Sequence, residues 1–584
     1  MKENFDFHNL RTFKLLKASL FSIFFTTLLC SCKSPKNTSP TLLDPYQYSA
    51  DKMVLAKRGA VVSAHALASD AGLLMLRKGG NAIDAAIATQ LALAVVYPGA
   101  GNLGGGGFLV ATLADGKKIA IDFREKAPLA AHTNMYLDKE GNPIPGLSLS
   151  GHLASGVPGA VAGIYAALRY ARLPMSELIR PAIILAEKGF AITESEANSL
   201  NEARAEFIQI NPTAFPFVKP EPWKTGDTLI QKDLAATLAR IRDSGEAGFY
   251  RGTTANLIVA EMQRGKGMIT HQDLVGYKAV ERDPVLFTYK NYEIVTMPLP
   301  SSGGVLLPQM MKMAAKFNLP QFGFHSWRSV QLMIEIERRV YADRAQYLGD
   351  IDFIKVPVEK LTSDEYLVER MKDYDSTRPT PNNDLPVRLI PESEETTHLN
   401  TYDSEGNAVA ITTTLNDSYG SRTIVQGAGF ILNNEMDDFS IKPGVRNMYG
   451  ALGGKANEIA PGKRMLSSMT PTIVLKNKRP YLIVGTPGGL TIPTSVFQTL
   501  INILEFGMNT EEAVNKPKFH FQWQPDSISI EPGFPLSVVR ELEKRGYHFD
   551  SRGPIGRTEV IKVLADGRIE AVADIRGDDD AAGY

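Results

Sequence analysis

Thr396-Thr397-His398 stands where the texture of the chain changes abruptly. Before it, Ser376 to Glu395 carries four prolines and the pair Asn382-Asn383, and closes on the acidic Glu392-Ser-Glu-Glu395. A structureless stretch of about twenty residues inside a compact domain is uncommon and is usually functional or cleaved. After Thr396, Leu399 opens a strand pattern. β-branched residues are common at strand starts, which is one complete reading of Thr396. The other reading carries chemistry. If the chain is cut before Thr396, this residue holds both a hydroxyl nucleophile and a free α-amine, whose pKa of ~7.7–8.0 suits a general base at neutral pH.

Other residues could complete an acyl-transfer site. Ser467-Ser468 offer hydroxyl donors ahead of a strand, and Pro487-Gly488-Gly489 can bare backbone N–H groups to an oxyanion. Asn416, Glu435 and Asp438 supply acceptors for a cation, and Arg124 could fork onto a carboxylate. Singly, each of these types occurs more often in turns or on surfaces; together they suggest a pocket for an amine and a carboxylate on one carbon.

Competing chemistries lack their residues. The two cysteines are Cys30 and Cys32, so nothing later in the 584 residues can be a thiol nucleophile, a thiolate zinc ligand or an iron–sulfur ligand. The nine histidines show no metal-binding pair at helical spacing, which predicts no metal and, with the rest, no cofactor. No Gly-x-Ser-x-Gly elbow occurs. Gly99-Ala-Gly101-Asn-Leu-Gly104 matches a dinucleotide fingerprint in letters but follows a helix and leads into a hairpin, so close backbone packing is expected there. Gly450 to Lys455 is too short for a phosphate loop and lacks its hydroxyl. With 63 basic and 64 acidic residues, the chain has no electrostatic footprint for nucleic acid.

The elements that must position these groups can be read from periodicity. A helix is predicted from Ser69 to Lys78, and a second from Ala82 to Val96, capped by Asn81 with Asp84 and apolar nearly all round. Hairpins are predicted for Phe108–Leu113 with Ile119–Phe123, Leu399–Tyr402 with Ala408–Leu415, Thr472–Leu475 with Tyr481–Val484, and Glu559–Leu564 with Ile569–Val572. Ala160 to Tyr347 reads as mainly helical, including Trp327 to Leu348. Strand-rich ends around a helical middle argue for an α+β layered fold.

The amino terminus reads as an address. Lys2, Arg11, Lys14 and Lys17 precede an apolar run from Ala18 to Leu29, the size of a secretory signal. Leu29-Cys30-Ser31-Cys32 resembles a lipobox, which would make 1–31 the signal, Cys32 the lipidated residue and 32–50 a tether. An ordinary cleaved signal is the alternative. By resemblance to bacterial lipoproteins, Lys33 after the cysteine favours the outer membrane, for an exported, periplasmic protein held by a lipid anchor alone.

From about Ala60 to Ala582-Gly583-Tyr584 the sequence resembles the γ-glutamyltransferase family, also known as γ-glutamyltranspeptidase or glutathione hydrolase. The similarity runs through Gly79-Gly80-Asn81-Ala82-Ile83-Asp84-Ala85-Ala86, Gly101 to Phe108, Asp122-Phe123-Arg124-Glu125 and Ser155 to Gly159. It continues through Pro300 to Gly304, Tyr341-Ala342-Asp343-Arg344, Leu432 to Phe439, Ser467 to Pro471 and Pro487-Gly488-Gly489. The resemblance implies an N-terminal-nucleophile (Ntn) hydrolase αββα sandwich, formed jointly by a large subunit, 51–395, and a small subunit, 396–584, after autocatalytic cleavage between Glu395 and Thr396.

It further implies that Thr396 takes the γ-glutamyl group of glutathione or another γ-glutamyl compound as an ester and passes it to water, an amino acid or a dipeptide. Thr414 would support the nucleophile, and Gly488 and Gly489 would form the oxyanion hole. Arg124, Ser467 and Ser468 would hold the α-carboxylate; Asn416, Glu435 and Asp438 would hold the α-amine. Pro443 to Gly454 would be a lid with Tyr449 as its gate. Glu435 stands where some bacterial members have Gln, and Thr486 and Leu490 where serines are common. The alternatives are a related Ntn acylase acting on glutaryl-cephalosporin or poly-γ-glutamate substrates, and a non-catalytic binding lipoprotein.

Overall fold

Along Ala408–Thr414 successive side chains face opposite ways, and both faces are buried. Val409 and Ile411 pack with Leu109, Ile121 and Leu399 against helices, whereas Ala408 and Ala410 meet Phe108, Ile473 and Ile483 between two sheets. That division is the plan of the molecule, seen in a computed structural model that describes residues 42–381, 396–448 and 450–584. The signal segment, Cys32, Glu395 and Tyr449 lie outside the described residues.

Two seven-stranded antiparallel sheets face each other. The first runs Asp580–Gly583, Ala60–Ser63, Thr396–Tyr402, Ala408–Thr414, Gly106–Thr112, Lys118–Asp122, Val280–Arg282. The second runs Met53–Ala56, Ile569–Val572, Glu559–Val563, Arg479–Gly485, Thr472–Lys476, Tyr292–Thr296, Val285–Tyr289. Helices Ala66–Arg77 and Ala82–Val96 cover the first sheet, and Gly303–Ala314, Trp327–Tyr347 and Ile492–Leu504 the second. Each sheet therefore buries one face on helices and the other on its partner, giving the expected α+β, αββα layering.

The helix Ala82–Val96 is fully buried and begins in the predicted capping box: Asn81 Oδ1 accepts the Asp84 N–H at 3.1 Å and Asp84 Oδ2 accepts the Asn81 N–H at 2.7 Å. Such caps contribute about 1 kcal/mol. Asp403, in the turn between Thr396–Tyr402 and Ala408–Thr414, accepts the Ala82 N–H at 2.8 Å, so the helix start and the central hairpin are fixed to each other. The register of that hairpin sets Thr396 opposite Thr414.

The middle of the chain departs from the helical reading. Val280–Arg282, Val285–Tyr289 and Tyr292–Thr296 are strands, the first at the edge of the first sheet, the second at the edge of the second sheet and the third just inside it. Charged and exposed residues break their apolar pattern because edge strands face solvent, which hides them from a hydrophobicity reading. The glycines from 99 to 107 serve close backbone approach, as expected. A Cβ on Gly105 would lie 2.0 Å from the Thr414 carbonyl oxygen. Among the described residues no helix is long and apolar enough to cross a membrane.

Candidate active site

Thr396 begins its strand with its side chain 5% exposed, and its hydroxyl lies 3.3 Å from that of Thr414. The Asn416 N–H donates to Thr414 Oγ1 at 2.8 Å. That donation occupies one acceptor site of Thr414 and leaves its hydroxyl able to donate to Thr396 Oγ1 or to accept from it. Asn416 takes φ +80°, a left-handed conformation that asparagine tolerates, and so ends the strand with its side chain turned to the Asn434 carbonyl at 3.1 Å.

The same face of the strand carries His398 and Asn400. His398 sits 2.9 Å from both Thr412 Oγ1 and Asn400 Oδ1. The amide oxygen of Asn400 can only accept, so His398 donates from Nε2 and accepts from Thr412 at Nδ1. Burial pulls the His398 pKa down to about 3, which keeps the ring neutral. It is a structural link between sheets, and the nucleophile has no histidine base in this ladder.

A narrow cleft in front of Thr396 is lined by Thr414, Asn416, Arg124, Glu435, Asp438, Ser467, Ser468 and Gly489, together with Arg344, Met469, Leu490 and Ile492. Nearly every residue singled out from sequence thus converges here. Gly488 lies just behind Gly489, its carbonyl accepting the Thr491 N–H at 2.9 Å and hydroxyl at 2.8 Å. Both glycines have positive φ, +130° and +54°, a turn that a side chain would oppose. A roomier cavity of about 540 Å³, lined by Tyr97, Tyr419, His520, Arg552 and Arg557 among others, contains none of the predicted site residues.

Arg124 organises the charges. Its guanidinium lies 2.6 Å from Glu435, bonds Asp438 and reaches Glu125 at 3.4 Å, with all but Asp438 almost wholly buried. Burial works against its charged form, but Glu435, Glu125 and Asp438 outweigh that and hold it protonated. Burial likewise raises Glu435 well above the usual carboxylate range and Glu125 to about 7, each opposed by Arg124. Glu435 and Asp438 were assigned from sequence to a cation, and the cation they meet here is Arg124 itself. An incoming amine and carboxylate would therefore enter an existing ion cluster and exchange partners within it.

Ser467 is placed by its N–H to the Pro300 carbonyl at 2.8 Å and by its own carbonyl accepting the Ser302 N–H at 2.7 Å. The Ser468 hydroxyl accepts from Ser302 Oγ at 3.4 Å and from Arg344 Nη2 at 3.3 Å. Sequence reasoning gave Arg344 and Ser302 no role, although both fall in stretches it had matched; a charged residue at a core position of a long helix was the available signal. The 443–454 loop packs over the acids, with the Met448 N–H on Asp437 at 3.0 Å and Asn457 holding the Asp438 carbonyl at 2.6 Å from beyond it.

No group of three or more His, Cys, Asp or Glu residues among the described residues could hold a metal ion. What the cleft can do is acyl transfer. It brings a hydroxyl at the start of a strand together with a second hydroxyl, Gly489 and a buried charge cluster, the types of group that acyl transfer uses.

The gamma-glutamyltranspeptidase family model matches residues 68–584. The glutathione hydrolase proenzyme of Escherichia coli is 43% identical over 95% of this chain and 97% of its own length, and that of Pseudomonas aeruginosa is 45% identical over 89% and 93%. The crystal structure of cephalosporin acylase from Bacillus halodurans superposes with a TM-score of 0.80 at 26% identity, covering 93% of this chain and 99% of the acylase chain.

Proposed function

The chain belongs to the gamma-glutamyltranspeptidase family and is an enzyme of γ-glutamyl transfer, and from that premise we propose that it matures and works through Thr396. The Thr396 hydroxyl attacks the carbonyl of Glu395, the peptide nitrogen becomes the α-amine of Thr396, and water hydrolyses the resulting ester. Residues 51–395 become a large subunit and 396–584 a small one. The freed amine is then the base that the strand itself lacks.

In turnover, the amine takes the Thr396 hydroxyl proton as Oγ1 attacks the γ-carbonyl of glutathione or another γ-glutamyl compound. Gly488 and Gly489 N–H groups receive the oxyanion. The amine gives its proton to the leaving nitrogen, cysteinylglycine in the case of glutathione, and a γ-glutamyl ester remains on Thr396. Water, an amino acid or a dipeptide then attacks that ester. Arg124, Ser467 and Ser468 hold the α-carboxylate; Asn416, Glu435 and Asp438 hold the α-amine; the 443–454 loop with Tyr449 closes over them. Protein groups supply every step without a cofactor.

The observation that carries this reading is Thr396 and Thr414 at 3.3 Å within a cleft that also holds the Arg124 charge cluster. The acylase alternative has no need of that cluster, which suits an α-amino acid head group. The reading extends to export by the 1–31 signal, lipidation at Cys32 and a periplasmic site on the outer membrane. N-terminal sequencing of the purified protein tests the core of it: a fragment beginning Thr-Thr-His is expected, together with hydrolysis of γ-glutamyl-p-nitroanilide, and Thr396→Ala is expected to give one uncut, inactive chain. Full activity in an uncut wild-type chain would reject the mechanism. Radiolabelled palmitate on wild-type protein and none on Cys32→Ala would test the anchor.

A further inference from the structure

Arg344 lies on the Trp327–Tyr347 helix, 9% exposed, with its side chain lining the cleft beside Thr396. Other buried arginines of this region have carboxylate partners: Arg124 has Glu435 and Asp438, Arg338 and Arg339 share Glu335, and Arg464 has Asp122. Arg344 has none within 4.0 Å among the described residues. Its polar contacts are two hydroxyls, Ser302 Oγ at 3.4 Å and Ser468 Oγ at 3.3 Å, both at the long end for a hydrogen bond. A buried guanidinium without a counter-ion is costly, and such groups are ordinarily paired. The missing partner is an anion.

The charge balance of the cleft identifies which anion. Three carboxyl groups surround Arg124: Glu125 and Glu435 on one terminal nitrogen and Asp438 on the other. A substrate carboxylate approaching Arg124 alone would find its terminal nitrogens already engaged by carboxyl groups. Arg344 adds positive charge 3.3 Å from the hydroxyl of Ser468, which is assigned to that carboxylate. Resting on the reading above, we infer that Arg344 is a second carboxylate-recognition arginine, which joins Arg124, Ser467 and Ser468 in receiving the α-carboxylate of the γ-glutamyl donor. The guanidinium, with donors in a fixed fork, suits that role better than an ammonium would.

The test compares three inhibitors of γ-glutamyl-p-nitroanilide hydrolysis. L-glutamate has both α-groups, glutarate lacks the α-amine, and 4-aminobutanoate lacks the α-carboxylate. In Arg344→Gln the inhibition constants of glutamate and glutarate are expected to rise tenfold or more, and that of 4-aminobutanoate to stay within twofold. Arg344→Lys, which keeps the charge, should cut itself and recover part of the loss, and it carries the same comparison if the glutamine variant does not fold. Equal weakening of all three inhibitors, or of none, would overturn the inference by assigning Arg344 a packing role. A wild-type protein that neither cuts itself nor hydrolyses the anilide would instead overturn the underlying reading.

Discussion

The hydroxyl of Thr414 stands 3.3 Å from that of Thr396 while it accepts the Asn416 N–H at 2.8 Å. A backbone donor thus holds in place the hydroxyl that hydrogen-bonds the nucleophile. Thr414→Val keeps the shape and removes the donor. Both self-cleavage and turnover should slow, with kcat falling by about 10²–10³-fold, the usual loss for one preorganised donor. Thr414→Ser should retain most of the rate. Stopped-time gels and steady-state kinetics on the same preparations would check it, and an unimpaired Val variant would remove Thr414 from the mechanism.

Asp438 tests the zwitterion pocket. Asp438→Asn takes one carboxylate from Arg124 and from the proposed α-amine site. KM for γ-glutamyl-p-nitroanilide should rise at least tenfold, about 1.4 kcal/mol or more. The glutaryl anilide, which has no amine to lose, should be a poor substrate for the wild type and no poorer for the variant. Parallel losses on both substrates would mean that Asp438 serves structure alone.

Gly488 is a position where geometry forbids a side chain. A Cβ there would lie 2.4 Å from Thr491 Oγ1, on a residue with φ +130°. Gly488→Ala should cost about 1–3 kcal/mol in stability through backbone strain. It should also move the Gly489 N–H, so kcat should fall more than KM rises. Thermal unfolding and kinetics measured together would separate the two effects.

Glu125 sets a pH dependence of stability. Burial raises its carboxyl from 4.5 to about 7, against the pull of Arg124. The folded state therefore binds this proton more tightly than the unfolded state does, so stability falls as pH rises from about 4.5 to 7 and this contribution is flat beyond. Glu125→Gln should flatten that part of the profile and raise the unfolding temperature relative to wild type above pH 7, with little difference at pH 4.5. A variant whose profile keeps the wild-type slope would assign the dependence to other groups.

The central hairpin was legible because it is buried on both faces and joined by a short polar turn, so its alternation and its Asp403–Gly406 signal survive in the sequence. The helix Ala82–Val96 was legible to the residue because Asn81 and Asp84 write their capping box in the letters. The strands Val280–Arg282 and Val285–Tyr289 were not, since edge strands carry charged and exposed residues where the pattern looks for apolar ones. The site residues were legible as types, and the family resemblance supplied their proximity. Their pairing was not: nothing in spacing could show that Arg124 bonds Glu435 and Asp438 across more than 300 positions, nor that Arg344 reaches Ser468 from the Trp327–Tyr347 helix. Such partners are chosen by the crossing of layers, after the chain has folded.

The strand order of the first sheet has an economic meaning for the cell. Asp580–Gly583 and Thr396–Tyr402 flank Ala60–Ser63, and Ala408–Thr414 adjoins Gly106–Thr112, so segments from before and after Thr396 alternate across one continuous ladder. Neither half could complete that ladder alone. Under the proposed maturation, a cut before Thr396 in the folded chain would leave the two pieces already assembled, in equal numbers, from a single reading frame and without a search for a mate.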